Sequence, residues 1–129
     1  TGSSIYPEQT SFARNAISLP METLDHILTS LEIANPDLLK IDVQGAELDI
    51  LQGATNTLRS VEFIHMELST LHYNAGAPLI AKVLPKLDEI GFVLFDILEE
   101  HRITNNILSQ LDALFIKKDS SIRPKGILF

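Results

Sequence analysis

Apolar residues recur along the chain with two different periods, and the alternation between them predicts its elements. Leu24, Ile27, Leu28 and Leu31 fall at i, i+3, i+4 and i+7, a helix opened by Pro20 in its first turn and Glu22 at the positive end of its dipole. Asn35-Pro36-Asp37 stops it. Leu38 to Val43 is short, mostly apolar and followed by Gly45, as expected of a buried parallel strand feeding a turn. Ala46 to Leu58 then carries Leu48, Leu51 and Leu58 on one helical face, with Gly53 marking a bend or pause. Val61 to Glu67 is a second strand and, like the first, reaches a carboxylate at its end. Pro78 opens a helix bearing Ile80, Val83, Leu84 and Leu87, kinked at Pro85 and closed by Gly91. Phe92 to Leu98 and Leu111 to Lys117 are two further strands, joined by a polar segment without a crossover helix, so they are expected to run antiparallel.

This order gives an α/β fold: a doubly wound sheet of parallel strands that ends in an antiparallel hairpin. The whole chain, 1–129, reads as one domain, with a loop or tail over 1–19 that packs on something, an α/β core over 20–117 and a tail over 118–129. A composition of 45% hydrophobic and 21% charged residues over 129 positions supports a single globular unit rather than disorder. A chain of this size buries roughly two-thirds of its unfolded surface, so an aliphatic core suffices without staples.

Charge and cysteine content narrow the chemistry. With Cys 0, thiol nucleophiles, Cys-ligated zinc and iron–sulfur clusters are excluded. A formal net charge of -7 without any cluster of Lys or Arg argues against nucleic acid and anionic membranes as partners. No apolar stretch reaches the length of a bilayer span and no signal pattern is present, which makes a cytoplasmic location the simplest expectation.

Ligands of open α/β sheets gather at the carboxyl ends of the strands. Asp42, near the end of the first strand, Glu47, in the first turn of the next helix, and Glu67, closing the neighbouring strand, are the candidate catalytic residues. Such a set can accept a proton from a hydroxyl, hydrogen-bond sugar hydroxyls or hold a divalent cation. Glu47 taken alone is explained by the helix dipole, whereas a carboxylate in an apolar strand, as Asp42 is read here, needs a partner or a task. His72 and Tyr73, in the loop beyond Glu67, are candidate substrate-binding residues. His65 reads as a satisfied sheet residue and Asp25 as a helix cap or dipole counter-charge. His26, His65, His72 and His101 show no metal-binding spacing, so no metal site is indicated, though an ion held by Asp42 and Glu67 is compatible with the chemistry. No GxSxG elbow supports a hydrolase.

The run Leu39 to Leu48, with Leu51 and Gly53-Ala54 after it, resembles the signature block of the FkbM family of methyltransferases. Thr23-Leu24-Asp25, Glu67-Leu68-Ser69 and Gly91-Phe92 agree in order and spacing, and the resemblance extends from about residue 20 to about residue 117. It implies a Rossmann-like sheet and S-adenosylmethionine as methyl donor. It further implies O-methylation of a hydroxyl on a sugar or secondary metabolite, and an acceptor-side place for Asp42, Glu47 and Glu67. A small-molecule or glycan acceptor follows.

The sequence holds no GxG, and a seven-stranded fold of this class needs about 200 residues at about 30 per βαβ unit. The chain is therefore expected to be the C-terminal part of such a domain, inactive alone, with the cofactor-binding half apparently absent. A homodimer would then cover the apolar surface left exposed. Asp42 is the preferred base, its pKa raised by burial or its task eased by a divalent ion, with Glu47 orienting it. The alternatives are a non-catalytic α/β binding or assembly module and, less well matched, a phosphoacceptor receiver, which needs an acidic pair and a late lysine.

Overall fold

The computed structural model of the protein describes residues 4–9, 11, 13 and 15–124. Among these residues four α-helices and four strands follow in the order α1 (Leu24–Ser30), β1 (Leu38–Ile41), α2 (Glu47–Gln52), α3 (Thr57–Ser60), β2 (Phe63–Ser69), α4 (Ile80–Glu89), β3 (Phe92–Ile103) and β4 (Ile107–Lys117). The strands form one mixed sheet ordered β1-β2-β4-β3. β1 and β2 are parallel and β3 and β4 form an antiparallel hairpin, as the alternation of elements led one to expect, and β4 lies between β3 and β2, antiparallel to both.

Period-two alternation splits the sheet into two unlike faces. Along β2, Ile64, Met66 and Leu68 are buried, while Phe63, His65, Glu67 and Ser69 between them stay partly exposed. Cross-strand register carries the same division into β4, where Phe115, Ala113 and Leu111 lie opposite the buried three. Leu51 of α2, Leu58 of α3 and Val83 and Leu87 of α4 close the core over that face. Burying each of the larger aliphatic side chains there contributes about 1.5–3 kcal/mol. The opposite face carries the polar side chains of β2 and β4.

Several element limits differ from those expected. α1 begins at Leu24 rather than Pro20, because Thr23 supplies the N-cap by accepting from the His26 amide, and none of its residues is buried. β1 ends at Ile41 and leaves Asp42 and Val43 to the turn. Gly53 does interrupt the second helical stretch: it caps α2, and α3 restarts at Thr57.

The largest difference is the hairpin. The polar segment taken for a connection is itself strand, so β3 and β4 meet through a tight turn at Thr104–Asn106. Asn105 and Asn106 there adopt φ of 64° and 60°, the left-handed pair that a right-twisted hairpin requires and that Asn tolerates. Glu99, Glu100 and Arg102 are readily placed in an edge strand, whose outer side remains in water.

The segment preceding α1 packs on the sheet's loops. Gln9 N–H donates to Tyr73 O at 2.8 Å, Ala75 N–H donates to Pro7 O at 2.8 Å, and Glu8 forms an antiparallel bridge with Asn74. Residues 1–3, 10, 12, 14 and 125–129 of the expected tails lie outside the described residues. No helix among the described residues is long and apolar enough to cross a membrane.

Candidate active site

The turn after β1 needs unusual backbone. Gln44 has φ 51° and Gly45 φ 115°, and a Cβ on Gly45 would come within 2.6 Å of the Ala77 Cβ and 3.1 Å of the Tyr6 ring. Glycine is thus required both by conformation and by space. The turn is fastened from three sides. Ser4 Oγ and Asn74 Nδ2 both donate to Gln44 O, at 2.6 and 2.8 Å, and the Gly45 amide donates to Glu47 Oε1 at 2.8 Å.

These contacts distribute the candidate residues. Glu47 is buried, 6% exposed, and its carboxylate closes the turn from the first residue of α2. Asp42 is the exposed member, its Oδ2 3.8 Å from Lys40 Nζ, so the desolvation argument applied to it from sequence fails: β1 stops one residue too early to bury it. Burial falls on Glu47 and Glu67 instead.

Glu67 is half-buried at the carboxyl end of β2, on the face away from the helices. Burial, and then the charge of Asp42, push its pKa above the ordinary glutamate value; a hydrogen bond from Gln44 opposes them and the charge of Asp112 adds to them. The Gln44 and Gln110 side-chain amides both donate to Glu67 Oε1. Asp42 and Glu67 therefore meet electrostatically across the ends of two parallel strands. His72 is exposed and Tyr73 half-buried in the following loop, and Asn74 ties that loop to the turn. No side-chain bond joins His72 or Tyr73 to Asp42 or Glu67 among the described residues.

Other residues at this rim were not singled out from sequence. Asp112 lies directly opposite Glu67 in the β2–β4 register, with Oδ1 2.8 Å from His65 Nε2 and Oδ2 3.1 Å from His101 Nε2. The hydrogen bond to Asp112 holds the His101 pKa above its ordinary value. Tyr6 lies against Gly45, its hydroxyl 3.4 Å from Asp49 Oδ2; partial burial first, then the Asp49 charge, raise its pKa. Only strand register could have joined His65, His101 and Asp112, because they are up to 47 residues apart. A groove of about 1170 Å³ on the helix side, between Leu51 and Pro85, is lined by none of Asp42, Glu67 or Asp112.

Residues 1–94 match the methyltransferase FkbM domain, and the chain belongs to this family. The match begins before and ends earlier than the resemblance read from the motifs, inside β3. Over 53 residues, 40% of this chain and 22% of the relative, it is 40% identical to the hexuronic acid methyltransferase AglP of Haloferax volcanii. Over 78 residues, 58% of this chain and 32% of the relative, it is 33% identical to the 2-O-methyltransferase NoeI of Sinorhizobium fredii. The matched segments thus span less than a third of the length of either relative. No solved structure matches.

Proposed function

We propose that this chain carries the acceptor side of an S-adenosylmethionine-dependent O-methyltransferase acting on a hydroxyl of a sugar or secondary metabolite. The observation that carries this reading is the pairing of Asp42 with Glu67 at the carboxyl ends of adjacent parallel strands, close enough for one charge to raise the pKa of the other. Membership of the FkbM family supports the reaction class, the hexuronic acid in the name of AglP supports a sugar acceptor, and the 2-O-methyl transfer in the name of NoeI supports an oxygen as the methylated atom. The β1-β2-β4-β3 order, parallel and then closing in an antiparallel hairpin, supports a Rossmann-like methyltransferase sheet.

Methyl transfer to an alcohol oxygen requires the hydroxyl proton to leave as the new bond forms. Glu67, its pKa raised by burial, takes this proton, and Asp42 keeps a second carboxylate beside it to accept from a neighbouring hydroxyl. Glu47 positions Asp42 by fixing the turn, and His72 and Tyr73 border the acceptor from the next loop. The donor set at this rim, carboxylates with the amides of Gln44 and Gln110, fits acceptor hydroxyls. No residue of this rim is assigned to the methyl donor.

Calorimetric titration of S-adenosylmethionine and a sugar acceptor into the natural protein that carries this sequence, with Glu67→Gln alongside, tests the assignment. The variant should bind the donor as the wild type does and fail to turn over. Equal loss of donor binding and turnover would overturn the acceptor-side role.

A further inference from the structure

We propose that Glu67, His101 and Asp112 form a binding site for a first-row divalent transition ion of the zinc class, on the sheet face opposite the helices. The three come from three strands, β2, β3 and β4, and one ligand atom of each lies within 4.8 Å of the other two. Register explains the convergence. Glu67 is paired with Asp112, and His101 with Gln110 two residues earlier in β4, so all three side chains leave the same face.

The donor set selects the ion. Magnesium and calcium prefer all-oxygen surroundings, whereas one imidazole beside two carboxylates suits zinc, cobalt or manganese. Three protein ligands leave a fourth position for water or a ligand oxygen.

Both carboxylates are already held by neighbours outside the trio. His65 Nε2 sits 2.8 Å from Asp112 Oδ1, and Gln44 and Gln110 both donate to Glu67 Oε1. Such outer partners fix ligand orientation before an ion arrives. Glu67 and Asp112 are like charges placed directly opposite across the ladder, an arrangement that destabilises a sheet unless a cation offsets it. Among the described residues no Lys or Arg forms an ion pair with either, and Asp112 is paired with the two imidazoles of His65 and His101. His101 and Asp112 lie beyond residue 94, where the family match ends.

This inference shares Glu67 with the methyl-transfer reading, because an ion bound there occupies the carboxylate and leaves Glu67 free to take an acceptor proton only in the metal-free protein; its test needs neither methyl donor nor acceptor. Zinc chloride is titrated calorimetrically into the full chain, and cobalt chloride is added in parallel to read its visible absorption. The expected result is one ion per chain, not displaced by excess magnesium. Asp112→Asn and His101→Ala should each weaken affinity by about tenfold or more, with circular dichroism confirming that both remain folded. His26→Ala removes a histidine that pairs with Glu22 at the surface and should leave binding unchanged. Absence of saturable binding in the wild type would overturn the proposal. So would zinc affinity that is the same in wild type, His101→Ala and Asp112→Asn, since the His65–Asp112–His101 array would then be a hydrogen-bonded network without an ion.

Discussion

The side-chain amide of Gln44 donates to the carboxylate of Glu67, so the turn that leaves β1 is bonded to the end of β2. This one contact joins the family's signature run to the half-buried acid of the next strand. It also opposes the burial and the Asp42 charge that raise the Glu67 pKa. Gln44→Asn keeps a residue tolerant of the left-handed backbone at φ 51° but is too short to reach. The expected outcome is a further rise in the Glu67 pKa, read by NMR titration of its carboxyl carbon.

The raised Glu67 pKa is also a statement about stability. A group protonated more readily in the folded than in the unfolded protein contributes stability that is full below its unfolded pKa and is lost as pH rises through its folded pKa. At neutral pH the ionised Glu67 therefore opposes folding. Glu67→Gln should unfold at a higher denaturant concentration than wild type at pH 7, and the advantage should vanish in acid, where wild-type Glu67 is itself neutral. Urea melts at the two pH values check both halves.

Asp25 gives the opposite sign. Its carboxylate accepts from the amides of Asn56 and Thr57, each at 2.8 Å, and from Thr57 Oγ1 at 2.6 Å, so it caps α3 although it lies in the first turn of α1. Burial alone would raise its pKa, but these hydrogen bonds and the charge of Arg59 bring it below the ordinary value. Its contribution is present above the unfolded aspartate pKa and is lost as pH falls through the folded one. Asp25→Ala should lower stability at neutral pH by about 1–2 kcal/mol and flatten the acid limb of the stability profile.

Gly45→Ala probes the turn itself. The new Cβ would meet Ala77 at 2.6 Å in a backbone conformation that alanine rarely adopts. Strain and overlap together should lower stability by about 3 kcal/mol, measured by chemical denaturation.

The sequence made the core elements legible where periodicity was strong. Val83 and Leu87 in α4, and Ile64 and Met66 in β2, are buried as their spacing implies. It misled where polar residues extend an edge strand: Glu99 to Arg102 lack the alternation of a half-buried strand because β3 borders water on its outer side. Asp42 and Glu67 could be found from strand ends, a rule of topology. The Glu67–Asp112 opposition and the His101 contact depend on which residues face each other between β2, β4 and β3, and no local pattern encodes that register. Asp25 was legible as a cap, but the helix it caps begins 32 residues away.

Methyl transfer from labelled S-adenosylmethionine to a sugar hydroxyl, comparing wild type with Glu67→Gln in the natural protein that carries this sequence, tests the central claim most directly. Loss of a positioned base should lower kcat by about 100-fold or more while donor affinity stays within error of wild type. Unchanged turnover in Glu67→Gln would contradict the assignment of Glu67 as the group that takes the acceptor proton.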